Sequence, residues 1–165
     1  MTSRPDDDHH DAASELDAGM HEASRRAKLK KIAELGHDPW GGRFDGRDWI
    51  GDIRARCDEV RYRLESGQEL PLPDVSSEGV DLRQWKSEQG RGELVGPKVR
   101  AAGRIVLVRD KGKLLFLDVR DWTGDIQLFV GKKQVGEEDF ALAGQFDLGD
   151  IIGVDGQLGR TNRAS

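Results

Sequence analysis

Three short β-forming runs stand in a row: Val99–Val108, Lys113–Arg120 and Asp125–Val130. Asp110-Lys111-Gly112 separates the first two, and Trp122-Thr123-Gly124 the last two. Turns this short join antiparallel neighbours, because a parallel crossover needs about a dozen residues or more. The segment is therefore an antiparallel meander. Alternation within each run sorts the side chains onto two faces. Leu115, Leu117 and Val119 form the inner face of the second run, and Ile126, Leu128 and Val130 that of the third. On the first run, placing Ile105 inward places Arg100, Ala102 and Arg104 outward.

Beyond the meander, residues 137–146 read as a helix and Ile151–Leu158 as a further strand, entered through Leu148-Gly149-Asp150. Strand, strand, strand, helix, strand is the order of an OB-fold, a five-stranded Greek-key barrel, with its last strand missing. The chain stops at Thr161-Asn162-Arg163-Ala164-Ser165, about where a turn into that strand would begin. The expected fold class is mainly β with flanking helices. An OB-fold at 98–165 follows an N-terminal helical region.

The segments before 98 read as follows. Residues 1–20 are acidic and poor in apolar side chains, so a disordered leader is expected. Residues 21–64 read as helical. A basic amphipathic helix from His21 to Leu35 carries Leu29, Ile32 and Ala33 on one side, with Gly36 and Pro39 as its stop. A second helix over 49–64 has Ile50, Ile53, Cys57, Val60 and Leu64 at helical spacing. Residues 65–97 show no clean period and read as a connection or insertion.

The net charge of -5 looks unfriendly to a polyanion, but it is an average over unlike segments. Asp6, Asp7, Asp8, Asp11, Glu15, Asp17 and Glu22 form an acidic block without a Lys or Arg among them. Lys98 to Lys133 holds nine basic residues against Asp110, Asp118, Asp121 and Asp125. The basic segment is also the one whose outer face displays Arg104, Phe116, Arg120, Gln127 and Phe129. Aromatic rings stack unpaired bases, at about 1–3 kcal/mol per base. A Gln amide carries both a donor and an acceptor for a base edge, and guanidinium meets base or phosphate. This chemistry points to single-stranded nucleic acid. An outward Phe on a barrel is also often covered by a neighbouring helix, here 49–64, and alternation does not decide between the two for Phe116.

Arg25-Arg26-Ala27-Lys28-Leu29, Gly36-His37-Asp38-Pro39-Trp40 and Arg43-Phe44 resemble the opening of bacterial lysyl-tRNA synthetases. Ala102-Gly103-Arg104-Ile105, Phe116–Asp121, Gly124–Val130, Asp147–Val154 and Gly159-Arg160-Thr161 resemble their N-terminal anticodon-binding domain. The resemblance implies that Phe116 stacks on the central anticodon base, a uridine, while Gln127 and Arg104 hydrogen-bond it and Arg120 lies beside it. Phe129 shares the face, and Arg25, Arg26, Lys28 and Lys31 would supply auxiliary RNA contacts. It implies a lysine tRNA as partner. For the full-length enzyme it implies ATP, magnesium and a homodimer.

None of that family's three catalytic motifs is found in these residues. The expectation is therefore a fragment that binds RNA without catalysis, with no catalytic, cofactor or metal residue of its own. His9-His10-Asp11 has no preorganised geometry for a metal. A single cysteine, Cys57, excludes an internal disulfide framework and reads as a small buried apolar group. No apolar run reaches the roughly 18 residues of a membrane helix, and no secretory signal is seen, so a cytoplasmic location is expected. The competing readings are a stand-alone single-strand-binding OB module and a protein-interaction domain.

Overall fold

The computed structural model describes residues 8–74 and 81–161. The chain divides into two compact units, one of Met1–Arg43 with Gly131–Phe146 and one of Phe44–Val130 with Asp147–Ser165.

The first unit holds α1 (Asp8–Glu34), α4 (Lys132–Val135) and α5 (Glu137–Ala143). The expected disordered leader is corrected over 8–20, which are the opening turns of α1. Residues 1–7 lie outside the described residues. The physical reason is helix propensity, which does not depend on a core: α1 is built largely of Ala, Glu, Leu, Lys and Arg. A segment too polar to build a core can still propagate a helix. The stop at Gly36 is as expected. His37 N–H donates to Ile32 O at 3.2 Å and Gly36 N–H to Ala33 O at 3.0 Å, with Gly36 at φ +84°. That pair of bonds is a Schellman cap, which needs the left-handed backbone that glycine adopts without strain.

The second unit contains α2 (Ile50–Ala55), a short 3₁₀ turn (Arg56–Glu59), β1 (Arg61–Leu64), β2 (Glu69–Pro71), α3 (Leu82–Gln89) and β3 (Gly92–Val95). The meander follows as β4 (Lys98–Asp110), β5 (Leu114–Asp121) and β6 (Gly124–Gly131), and β7 (Ile151–Gln157) completes the set. Two sheets result, in the orders β2-β1-β3 and β6-β5-β4-β7.

The helix expected over 49–64 is corrected after Ala55. Ile50 and Ile53 are fully buried on one helical turn, but from Arg61 the period changes to two, with Tyr62 buried between more exposed neighbours. Strand partners decide the matter: Arg61 to Leu64 pairs with Glu69–Pro71 on one side and Gly92–Val95 on the other. Cys57 moves accordingly from a helical stripe to the 3₁₀ turn, where it is half-buried. The 65–97 stretch is likewise not a plain connection. It supplies both edge strands of this sheet and α3, which is capped by the Asp81 carboxylate accepting from Arg83 N–H at 2.8 Å. Tyr62 packs edge-on against Trp85 of α3 at 5.8 Å and donates its hydroxyl to Gly90 O at 2.8 Å.

The meander holds the order and the turns read from the sequence. Ile105, Leu115, Leu117 and Val119 are buried, and a core cluster of Ile53, Val60, Ala101 and Leu158 packs with Val99, Ile126 and Val154. β4 pairs with β7 from Lys98↔Gln157 to Arg104↔Ile151, and with β5 from Arg104↔Arg120 onward. A β-bulge between Ile105 and Leu107 interrupts the β4–β5 ladder. The result is a curled antiparallel sheet consistent with an OB-fold.

Gly103 sits just before the bulge, where an added Cβ would lie 2.4 Å from the Arg120 carbonyl oxygen. Gly103→Ala must push β5 away, and we expect a loss of roughly 1–3 kcal/mol in denaturant titration. Gly156→Ala, with nothing within 4 Å of its Cβ, should change stability by less than about 0.5 kcal/mol. Equal effects of the two substitutions would show that β4 and β5 do not approach this closely.

Candidate nucleic-acid interface

β4, β5 and β6 bring Arg104, Phe116, Arg120, Gln127 and Phe129 onto one exposed face. The Phe116 and Phe129 rings meet edge to face, with centroids 5.3 Å apart. Phe129 is 60% exposed and Phe116 half-buried. Arg104 stands directly opposite Arg120 across the β4–β5 pair, and its Nη1 donates to Gly149 O at 2.7 Å. Arg120 grips Asp125 with two bonds, Nε to Oδ1 at 2.6 Å and Nη2 to Oδ2 at 2.8 Å. Gln127 Nε2 donates to Asp118 Oδ1 at 2.9 Å. The auxiliary set Arg25, Arg26, Lys28 and Lys31 lies on α1, in the other unit, where Arg26 pairs with Glu22 and Lys31 with Glu34.

The sequence reading missed Arg109, and it placed Asp118 outward beside Phe116 and Arg120 without giving it a role. Parity counted from Ile105 sends residue 109 inward. The bulge adds a residue, so Leu107 pairs with Asp118 and Arg109 with Phe116, on the same face as Arg104. The Arg109 guanidinium lies 5.5 Å from the Phe116 ring centroid and 3.9 Å from the Asp118 carboxylate. A signal was present. Uninterrupted alternation would bury a guanidinium, which costs too much to be built into a core, so the break in pattern itself called for a bulge.

The turn between β5 and β6 is held by one carboxylate. Asp121 Oδ1 accepts from Thr123 N–H at 2.7 Å, Thr123 Oγ1–H at 2.6 Å and Gly124 N–H at 3.1 Å. Its Oδ2 accepts from Ile50 N–H at 2.9 Å, at the start of α2. Gly51 N–H donates to Thr123 Oγ1 at 2.8 Å. The first turn of α2 is thereby capped from 71 residues away in sequence. Burial works against ionising Asp121, but the bonds from Ile50, Thr123 and Gly124 together outweigh it and hold the carboxyl below its usual range. Asp125 is also held low, chiefly by its hydrogen bonds from Arg120.

Residues 99–164 match a family model for tRNA anticodon-binding domains, described as an OB-fold nucleic acid binding domain. The segment is thus similar in sequence to the OB-fold nucleic acid binding domains that this model describes. The lysine–tRNA ligases of Staphylococcus aureus strains Mu3 and Mu50 are each 35% identical to the chain over 138 residues, 84% of this chain and 23% of the relative. The chain thus spans less than a quarter of the length of these relatives. Among solved structures, asparaginyl-tRNA synthetase of Pyrococcus horikoshii is 40% identical over a stretch covering 38% of this chain and 14% of that one, with a TM-score of 0.36. In the OB domain, the matched segment begins at the strand that carries Arg104 and includes every residue of the face.

Both depressed carboxyls stabilise the folded OB domain above their unfolded pKa of about 3.9 and lose that contribution as pH falls. Asp121→Asn is expected to cost roughly 1–3 kcal/mol at neutral pH, because two acceptor oxygens become one, and to flatten the acid limb of the stability profile. Carboxyl NMR titration should place Asp125 below 3.9, and Arg120→Gln should move it up towards that value. An Asp125 that titrates normally in the parent would mean that the ion pair does not persist in solution.

Proposed function

We propose that the outer face of β4, β5 and β6 reads an unpaired uridine at the centre of a lysine tRNA anticodon, as the recognition part of a lysine–tRNA ligase. In that longer protein lysine would be joined to its tRNA with ATP and magnesium at a separate catalytic domain. The observation that carries the reading is the orientation of Gln127 on the face that carries the two rings. One N–H of its amide is held by Asp118, which fixes the orientation of the amide and leaves Oε1 as an acceptor for a base edge. An acceptor at that position suits the N3–H of uridine. Cytosine offers a lone pair at the same atom, and two acceptors facing each other repel.

The remaining parts take roles of matching chemistry. The Phe116–Phe129 pair supplies the stacking surface, with Arg109 over the Phe116 ring. Arg104 and Arg120 supply donors for the base carbonyls or the adjoining phosphate. Both are already engaged by protein acceptors, so RNA exchanges partners with them rather than meeting bare charge. That costs affinity and favours discrimination, since a wrong base leaves the exchanged groups unsatisfied. Arg25, Arg26, Lys28 and Lys31 on α1 add phosphate contacts that carry no sequence information.

The test is binding of a lysine anticodon stem-loop, followed by fluorescence anisotropy at fixed salt. Changing the central uridine to cytidine should weaken binding by about 10- to 100-fold on the parent. On Gln127→Ala the two loops should bind nearly alike. Phe116→Ala and Phe129→Ala should each cost about fivefold to 100-fold. Replacing Arg25 and Lys28 by Gln should weaken both loops evenly and reduce the salt slope by about 0.7 per lost contact. Equal affinity of the parent for the uridine and cytidine loops would replace this reading with a non-specific single-strand binder.

A further inference from the structure

Among the exposed aromatic side chains outside the face just described, one has an ordered setting on the same sheet. Trp122, in the turn between β5 and β6, is 78% exposed. It does not stand alone. Its ring meets Trp49 edge to face at 5.4 Å, and the Arg47 guanidinium lies over Trp49, 4.6 Å from the ring centroid. Arg47 and the edge of Trp122 therefore occupy Trp49, while most of the Trp122 surface is left to solvent.

The arrangement is held from below. Trp49 immediately precedes α2, whose first two N–H groups are fixed by Asp121 and Thr123, on either side of Trp122. Asp48 N–H donates to Arg100 O of β4 at 2.8 Å, which ties the approach to Trp49 to the same sheet. Two long-range hydrogen bonds thus join segments 47–51 and 121–124, and a third ties the first of them to β4. A ring held in place loses little freedom when a ligand stacks on it.

Trp122 lies just past the end of β5, two positions beyond Arg120. Six residue steps lead from Phe116 to Trp122, at most roughly 20 Å at about 3.3 Å per step. An OB-fold engages about 4–16 nucleotides, so one strand can cover that distance. The cations nearby suit a phosphate chain. Arg54 donates to Asp125 O at 3.0 Å and Arg120 grips the Asp125 carboxylate, so two guanidiniums gather beside the turn. Of the acids there, Asp121 is used up in its hydrogen bonds and Asp125 in its ion pair.

We propose that Trp122, supported by Trp49 and Arg47, is a second stacking site that holds an unpaired base of the same RNA strand, several nucleotides away from the base on Phe116 and Phe129. The inference rests on the RNA-reading role of the β4–β6 face and extends it. The ligand is a nucleobase recognised through its π face, so no particular base is required there. The site fixes the path of the strand across the domain, and the Gln127 pocket fixes the base at one point along it.

The test is a double-mutant cycle on the full 165-residue chain. A lysine anticodon stem-loop is prepared with each unpaired loop or flanking nucleotide made abasic in turn. Affinities are measured on the parent, Trp122→Ala, Trp122→Phe and Phe116→Ala. Trp122→Ala should weaken the intact RNA by about fivefold or more, and Trp122→Phe should recover most of that loss. One abasic position should weaken binding to the parent but have no further effect on Trp122→Ala, and that position should differ from the one coupled to Phe116. Thermal melts of the Trp122 variants should match the parent, since the side chain is exposed. If a loop position couples to Phe116 while none couples to Trp122, the second site is overturned and the face reading stands. If the parent binds no stem-loop at all, both fail together.

Discussion

A single extra residue in β4 organises the functional surface. β4 is the long central strand, thirteen residues paired to β7 along its first half and to β5 along its second. The bulge between Ile105 and Leu107 falls where the strand passes from one partner to the other. It bends the sheet, as barrel closure requires, and it reverses which side chains face outward. Ile105 remains in the core, while Leu107 and Arg109 turn out beside Arg104. Without that reversal Phe116 would lack the guanidinium behind it, and Asp118 would lack a cation partner. The close approach of Gly103 to the Arg120 carbonyl belongs to the same constraint, since only a residue without a side chain lets β5 follow the bend.

A second consequence concerns electrostatics. The face is rich in cations, yet each cation described on it has an internal partner: Gly149 O for Arg104, Asp118 and a ring for Arg109, Asp125 for Arg120. These are exposed pairs, individually worth little to stability. Their effect is geometric. They hold long side chains in defined positions at small cost and give up their partners readily to a ligand. Such a surface suits discrimination between similar bases better than maximal attraction to any polyanion.

Much of the OB domain was legible in its sequence because each signal there was local. Asp-Lys-Gly and Trp-Thr-Gly turns, two-residue alternation and short spacing fixed the order of the strands and placed five face residues without reference to the rest of the chain. The errors occurred where a local signal had two solutions. Val60 and Leu64 fit a helix and a strand equally, and only partners at 69–71 and 92–95 settled the choice. Residues 82–89 lacked an evident period because a two-turn helix needs few apolar contacts, and the fully buried Leu82 supplies its anchor. The acidic leader was misread by a different route. Composition measures the capacity to form a core, whereas α1 is favoured by helix-forming residues along its own length.

The sequence by itself determined which residues form the meander and the strand after it, which side chains carry aromatic, amide and guanidinium chemistry, and that the OB segment is rich in basic charge. These follow from composition and from a two-residue period, which are properties of neighbours in the chain. Tertiary structure alone decided where β4 bulges to bring Arg109 beside Phe116, that Asp118 turns the Gln127 amide, and that Asp121 holds the start of α2, 71 positions away, so that Trp49 meets Trp122. Each of these depends on a register or on a hydrogen bond between distant segments. Such contacts are chosen by the packing of the whole sheet, and no local pattern encodes them.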